Sequence, residues 1–154
     1  MNLLKKGDPA PHFTAKDQNG NIIRFESVRG EKIILYFYPK DDTPGCTAEA
    51  CNLRDNYDAL IKKGFVVIGV SADNEESHQK FIHKYNLPFS LISDEKHDII
   101  NSYNAWGEKT MAGKTYEGIL RKTYIIGENG TIEHIIDKVD TKNHTQQILE
   151  ILEK

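Results

Sequence analysis

The sequence predicts an α/β protein whose central mixed β-sheet is flanked by helices and preceded by an N-terminal β-hairpin. Two apolar runs, Ile33 to Tyr38 and Phe65 to Val70, are dense in β-branched and aromatic residues, the pattern of strands buried on both faces of a sheet. Each is followed by a segment with apolar residues at helical spacing. Two Asn-Gly turns, Asn19-Gly20 and Asn129-Gly130, sit between short β-prone runs at either end of this pattern.

Taken in order, Phe13 to Ala15 and Ile22 to Phe25 form the two strands of the opening hairpin. Ile33 to Tyr38 is the first buried strand, ended by Pro39. After the loop Lys40 to Gly45, Cys46 to Lys63 reads as a helix with Leu53, Tyr57, Leu60 and Ile61 on its apolar side and Gly64 as its stop. Phe65 to Val70 is the next strand, Asn74 to Tyr85 a helix, and Leu87 to Ile92 a third strand restricted at its start by Pro88. Asp94 to Asn104 reads as a short helix and Trp106 to Gly118 as a polar loop. Arg121 to Ile126 turns through Glu128-Asn129-Gly130 into Thr131 to Ile136, and Asn143 to Lys154 is the closing helix.

The 154 residues fit one domain, 1–154, with a core large enough to need no staple or metal. Hydrophobic residues are 38%, charged residues 28% and the formal net charge is −3, with no basic stripe to suggest nucleic acid. No segment approaches the roughly 20 apolar residues that cross a bilayer, and Met1 to Pro11 lacks a signal-peptide core, so the expected address is cytoplasmic. Only two cysteines occur, Cys46 and Cys51; in a reducing compartment a close pair is more often chemistry than scaffold.

The stretch from Pro39 to Cys51 carries a buried strand through a loop directly onto a helix, placing Cys46 in the first turn. There the unpaired N–H groups and the positive end of the helix dipole favour a thiolate. Thr43 could donate its hydroxyl to the sulfur or to a group bound beside it, and Gly45 lets neighbouring groups approach without a Cβ in the way. Residues five apart on a regular helix lie about 8–9 Å apart at Cα, whereas a disulfide needs roughly 4.4–6.8 Å. Cys46 and Cys51 can therefore join only if part of the helix unwinds.

These residues resemble the peroxiredoxins, and within them the bacterioferritin comigratory protein or Q-type branch. The signature of proline, threonine and cysteine at fixed spacing is met by Pro39, Thr43 and Cys46. The likeness continues through Ser77-His78, Leu87-Pro88-Phe89, Trp106-Gly107-Glu108-Lys109 and Arg121, departing at Asn104, where a glycine is common. The resemblance implies a thioredoxin-like fold and a cofactor-free thiol peroxidase acting on hydrogen peroxide and organic hydroperoxides. It implies Cys46 as the peroxidatic residue, Thr43 orienting it, Arg121 neutralising the thiolate and polarising the peroxide, and Cys51 resolving the sulfenic acid as an intramolecular disulfide. Thioredoxin or a similar dithiol would be the reductant, and the assembly a monomer or weak homodimer.

By the residues alone, Arg121 at the head of an apolar strand either reaches a site or sits in solvent. Glu49 either holds Arg121 or answers the helix dipole, and Pro39 either shields the sulfur or merely ends its strand. The charged residues of Trp106 to Glu117 read as a solvated loop rather than a rim of the site, and His78 and Tyr85 receive no catalytic role. A thioredoxin-type disulfide oxidoreductase typically separates its cysteines by two residues rather than four. A redox sensor passing its disulfide to a partner would use the same thiolate. The six histidines are scattered and do not form a zinc set.

Overall fold

The computed structural model describes residues 3–28 and 30–153. Met1, at the start of the N-terminal stretch, and Lys154, the last residue of the expected closing helix, lie outside them. The hairpin pairs β1 (Thr14–Lys16) with β2 (Ile22–Arg24), and the Asp17 carboxylate accepts the N–H groups of Asn19 and Asn21 across its turn. Phe25, read as the end of the second strand, instead begins a short helix, α1 (Phe25–Val28), and is wholly buried.

Three strands, β3 (Lys32–Phe37), β4 (Phe65–Ser71) and β5 (Ser90–Ser93), run parallel. Between β3 and β4 lie α2 (Pro44–Asp55) and α3 (Tyr57–Lys62), and between β4 and β5 lies α4 (Glu75–Tyr85). Beyond α5 (Asp98–Ser102), the strands β6 (Trp106–Met111) and β7 (Lys114–Ile119) form a separate ribbon. The chain rejoins the sheet as β8 (Lys122–Ile126) and β9 (Ile132–Ile136) before α6 (His144–Leu152). The seven-stranded order is β2-β1-β5-β4-β3-β8-β9, and β8 runs antiparallel to β3 with Phe37 opposite Lys122.

Alternation along β3 feeds two cores, as a centrally placed strand must. Ile33, Leu35 and Phe37 face Phe25, Tyr103 and Tyr124 on one side; Ile34, Tyr36 and Tyr38 face Leu53, Leu60, Ile148 and Cys46 on the other. The helix carrying Cys46 thus packs on the sheet through Ala50 and Leu53.

Four further sequence expectations need correcting. The helix expected over Cys46 to Lys63 starts at Pro44 and breaks at Asn56, whose side chain donates to the carbonyl of Asn52 one turn back and competes with the regular ladder. The third strand is confined to Ser90–Ser93, and Leu87 and Phe89 are buried without joining it. The helix expected from Asp94 is shortened to Asp98–Ser102, because the Asp94 carboxylate accepts the Ile100 N–H and His97 takes a left-handed conformation. The expected loop at Trp106 to Gly118 is the β6–β7 hairpin, closed by Ala112 and Gly113 at φ 52° and 78°, the pair of positive values that a two-residue hairpin turn demands. Asn104, the departure from the usual glycine, also sits at positive φ, and its side chain accepts the Leu4 N–H.

Candidate active site

The carboxyl end of β3 delivers the chain through Tyr38 and Pro39 into the loop before α2. Thr43 is the N-cap residue in extended backbone, with Pro44 at the first helical position, where its missing N–H costs nothing. Cys46 then falls in the first turn, 1% exposed, beside the backbone amide groups that a helix start leaves unpaired. The Thr43 hydroxyl donates to the Lys40 carbonyl at 2.8 Å. Its proton is therefore not directed at the sulfur, and the oxygen keeps its lone pairs to accept from a third group.

Arg121 immediately precedes β8, and the antiparallel pairing of β8 with β3 brings it to the same end of the sheet. It turns inward: Nη2 donates to Cys46 Sγ at 3.4 Å and Nη1 to Glu49 Oε1 at 2.9 Å. The two donors of one planar fork are divided between a sulfur and a carboxylate, an arrangement lysine's point charge would not reproduce. A Cβ on Gly45 would sit 3.1 Å from Arg121 Nη2, so the glycine makes room for this approach.

Glu49, one turn beyond Cys46, is completely buried. Burial pushes its carboxyl up to about 7, against the opposing pull of Arg121. Its second oxygen has no hydrogen-bond partner and lies 3.5 Å from Nε2 of His144. His144, also fully enclosed, is pushed down to about 4 by burial. Nothing in the sequence points to His144, since it stands 95 residues from Glu49 and only the fold brings α6 beside α2.

Two further sets of contacts anchor the segment. Asp41 accepts from Tyr38 Oη at 2.6 Å and from Ser77 Oγ at 2.8 Å, and faces His78 Nδ1 at 2.7 Å; His78 Nε2 faces the Ile92 carbonyl at 2.9 Å. Asp42, at φ 58°, accepts from Lys84 and Tyr85, and both bonds hold its carboxyl below the usual range. His78 and Tyr85 thus tie the loop to α4. Asp41, Asp73 and His78 place ligand atoms within 4.8 Å of one another, but Tyr38, Ser71 and Ser77 already donate to these carboxylates. On the other side, Asn52 Oδ1 accepts the Thr145 N–H at 2.8 Å and its Nδ2 donates to the Lys142 carbonyl at 3.0 Å, clasping α2 to α6.

Cys51 lies on α2 with Cys46, and both are free thiols. Burial pushes the Cys51 thiol up, keeping it protonated in this arrangement. Beside the guanidinium an open cavity of about 410 Å³ is lined by Pro39, Lys109, Leu120, Arg121, Lys122 and Asp137. Lys109, on the ribbon read from sequence as a solvated loop, thus borders the site and donates to the Ile119 carbonyl. Pro39 is half-buried at the same rim.

A cysteine at a helix N-terminus, faced by an arginine from the adjoining antiparallel strand, agrees with what the comparisons return. Residues 6–135 match the model of the AhpC/TSA family, and the chain belongs to that family. It is 45% identical over 154 residues to peroxiredoxin Bcp of Escherichia coli K12, spanning 100% of this chain and 99% of the relative. To peroxiredoxin Bcp of Bacillus subtilis it is 40% identical over 149 residues, 97% and 95% of the two chains. A cysteine-mutant PrxQ of Xylella fastidiosa superposes with a TM-score of 0.91 at 27% identity over 99% and 98% of the chains. Peroxiredoxin Q of Xanthomonas campestris gives 0.85 at 30% over 92% and 89%. Within the family these relatives define the bacterioferritin comigratory protein and peroxiredoxin Q branch; the protein is an enzyme, an oxidoreductase with peroxidase activity. Among the described residues, no helix is long and apolar enough to cross a membrane.

Proposed function

We propose that the chain reduces hydrogen peroxide and organic hydroperoxides through a Cys46 thiolate, and that Cys51 closes the cycle as an intramolecular disulfide. The observation that carries this is the 3.4 Å contact from Arg121 Nη2 to Cys46 Sγ at the start of α2. The thiolate attacks the terminal peroxide oxygen; an S–O bond forms as the O–O bond breaks. The leaving oxygen takes a proton to become water or an alcohol, and Cys46 becomes a sulfenic acid. Thr43 Oγ1 accepts the peroxide O–H, while Arg121 offsets the sulfur's charge and polarises the breaking bond. Pro39 keeps bulk water from the sulfur, Gly45 leaves space for the guanidinium, and Glu49 holds it in place.

Cys51, once deprotonated, attacks the sulfenic sulfur; an S–S bond forms and the hydroxyl leaves as water. Two residues of one helix five apart cannot reach bonding distance, so α2 opens locally first. Thioredoxin or a similar dithiol then reduces the disulfide, leaving its own cysteines oxidised. The unit of function is a single domain over residues 1–154, acting in the cytoplasm as a monomer or weak homodimer without a cofactor. The alkyl peroxide reduction named for the Xanthomonas campestris bacterioferritin comigratory protein supports the organic substrates.

Mass spectrometry after one equivalent of hydrogen peroxide tests the cycle. The expected products are a Cys46 to Cys51 disulfide in the parent, a sulfenic acid at Cys46 in Cys51→Ser, and unchanged thiol in Cys46→Ser. Parent protein whose thiols both survive minutes of exposure refutes it.

A further inference from the structure

Behind Arg121, His144 and Thr123 are fully buried yet take no part in the reaction set out above. Gln147 fixes the tautomer of the ring. Its Nε2 donates to the Lys138 carbonyl at 2.7 Å, so Oε1 is the atom that faces the Asp140 N–H and His144 Nδ1, each at 3.0 Å. An amide oxygen only accepts, so Nδ1 carries the hydrogen and the neutral ring presents a lone pair at Nε2. Thr123 Oγ1 faces that lone pair at 2.8 Å and Glu49 Oε2 at 3.5 Å. Oε1 of Glu49 is held by Arg121, while Oε2 is enclosed and without a partner. An ionised oxygen so placed is costly, and a proton on it, aimed at Nε2, removes the deficit.

We propose that His144 is a positioning residue for peroxide reduction, holding through Glu49 a single proton whose presence leaves the charge of Arg121 to Cys46. Loss of that proton divides one guanidinium between two anions. The inference rests on Cys46 being the attacking thiolate. Glu49 and Cys46 draw on the same guanidinium, so negative charge on Glu49 weakens the hold of Arg121 on the sulfur. The other groups acting on them are Tyr36 from β3, whose enclosed hydroxyl also lacks a partner, Lys109 from β6, whose charge acts on Arg121 and Cys46, and Asp140 ahead of α6, which acts on His144. The opposite shifts of Glu49, up to about 7, and His144, down to about 4, agree with a proton on Oε2 rather than Nε2.

Thr123 donates to Nε2 and competes with the Glu49 proton for the same lone pair. Two variants therefore act in opposite directions. His144→Asn preserves a donor toward Gln147 but removes the Nε2 acceptor, so Glu49 releases its proton at lower pH. Thr123→Val removes the competitor, so Glu49 keeps its proton to higher pH. General damage to packing would not separate them in sign.

The test uses the Cys51→Ser protein. Formation of Cys46 sulfenic acid from one equivalent of hydrogen peroxide is checked first, and its failure overturns the peroxidase reading along with the inference. The alkylation rate of Cys46 by iodoacetamide is then followed from about pH 5 to about pH 9, together with the Glu49 carboxyl signal in the infrared, identified by its loss in Glu49→Gln. The expected result is a shared inflection near neutrality that moves down in His144→Asn and up in Thr123→Val. Each shift should be about half a pH unit, roughly a threefold change in the ionisation equilibrium. An inflection that is missing from the Cys51→Ser protein, stays fixed in the variants, or moves the same way in both overturns the inference while leaving the peroxidase reading intact. Each variant is compared with the parent separately, so either one decides if the other does not fold.

Discussion

Asn52→Ala should shorten the life of the sulfenic acid. Asn52 sits next to Cys51, and its side chain caps α6 from the neighbouring helix: Oδ1 takes the Thr145 N–H and Nδ2 reaches the Lys142 carbonyl. The N-cap position of α6 itself, Asn143, makes no side-chain cap bond, so this clasp replaces it. Losing a capping side chain costs about 1–2 kcal/mol, which raises the population of opened α2 roughly 5- to 30-fold. If opening equilibrates rapidly before Cys51 attacks, disulfide formation accelerates by the same factor while the whole protein loses about 1–2 kcal/mol of stability. Acid quenching after mixing with one equivalent of peroxide, followed by mass spectrometry, gives the ratio of sulfenic acid to disulfide over time. Denaturant titration gives the stability. A variant that loses stability as expected but converts sulfenic acid to disulfide at the parent rate would show that this clasp does not limit the opening of α2.

Gly45→Ala should fold normally yet slow peroxide reduction about tenfold, because its Cβ would press on Arg121 Nη2 from 3.1 Å and small displacements of a charge-stabilising donor cost rate steeply. An unchanged rate by stopped flow would show that the guanidinium tolerates the shift. Arg121→Met should reduce the rate of Cys46 oxidation by about 10²–10³, the usual cost of removing a preorganised donor. A loss of less than threefold in the same assay would contradict Arg121's place in the chemistry. Stability against pH should show the proton exchange between Glu49 and His144. Unfolded, they titrate at 4.5 and 6.5; folded, at about 7 and about 4. Between about pH 4.5 and 6.5 the folded and unfolded pairs each hold one proton, so their contributions to the pH slope cancel. Glu49→Gln leaves only the depressed histidine, and stability should rise from about pH 4 to 6.5. His144→Asn leaves only the raised carboxyl, and stability should fall from 4.5 to about half a unit below the parent's value of about 7, each at no more than about 1.4 kcal/mol per unit. Urea midpoints across this range check both signs; parallel curves for the two variants would refute the exchange.

The parts of the molecule legible in the sequence are those where local pattern and burial agree. The runs Ile33 to Tyr38 and Phe65 to Val70 could only be strands covered on both faces, and the Asn-Gly turn at Gly20 marks the first hairpin. The loop after Pro39 that opens onto a helix carrying Cys46 in its first turn is equally plain, because the proline and the apolar helix face lie within one short stretch, although the helix begins at Pro44 rather than Cys46. The β6–β7 ribbon was not, since Lys109, Thr110 and Thr115 pair outside the main sheet and leave no apolar alternation to read. By the residues alone Arg121 has two readings, and the antiparallel pairing of β8 with β3 is what decides between them. His144 was invisible, because its link to Glu49 depends on how α6 crosses α2 and no spacing along the chain encodes that crossing.

The partnership of Cys46 with Arg121 spans 75 residues and depends on a single register, Phe37 opposite Lys122. A strand slipped by one residue presents its side chains to the opposite layer, and the guanidinium would leave with them. During folding the cysteine exists long before its cation does: β3 and α2 are chain neighbours, whereas β8 must return across the closed loop between them. A nascent or misregistered chain therefore holds Cys46 without its guanidinium, and the contact forms only when β8 has docked against β3. On the proposed function, reactivity toward peroxide would report that β8 has found its register against β3.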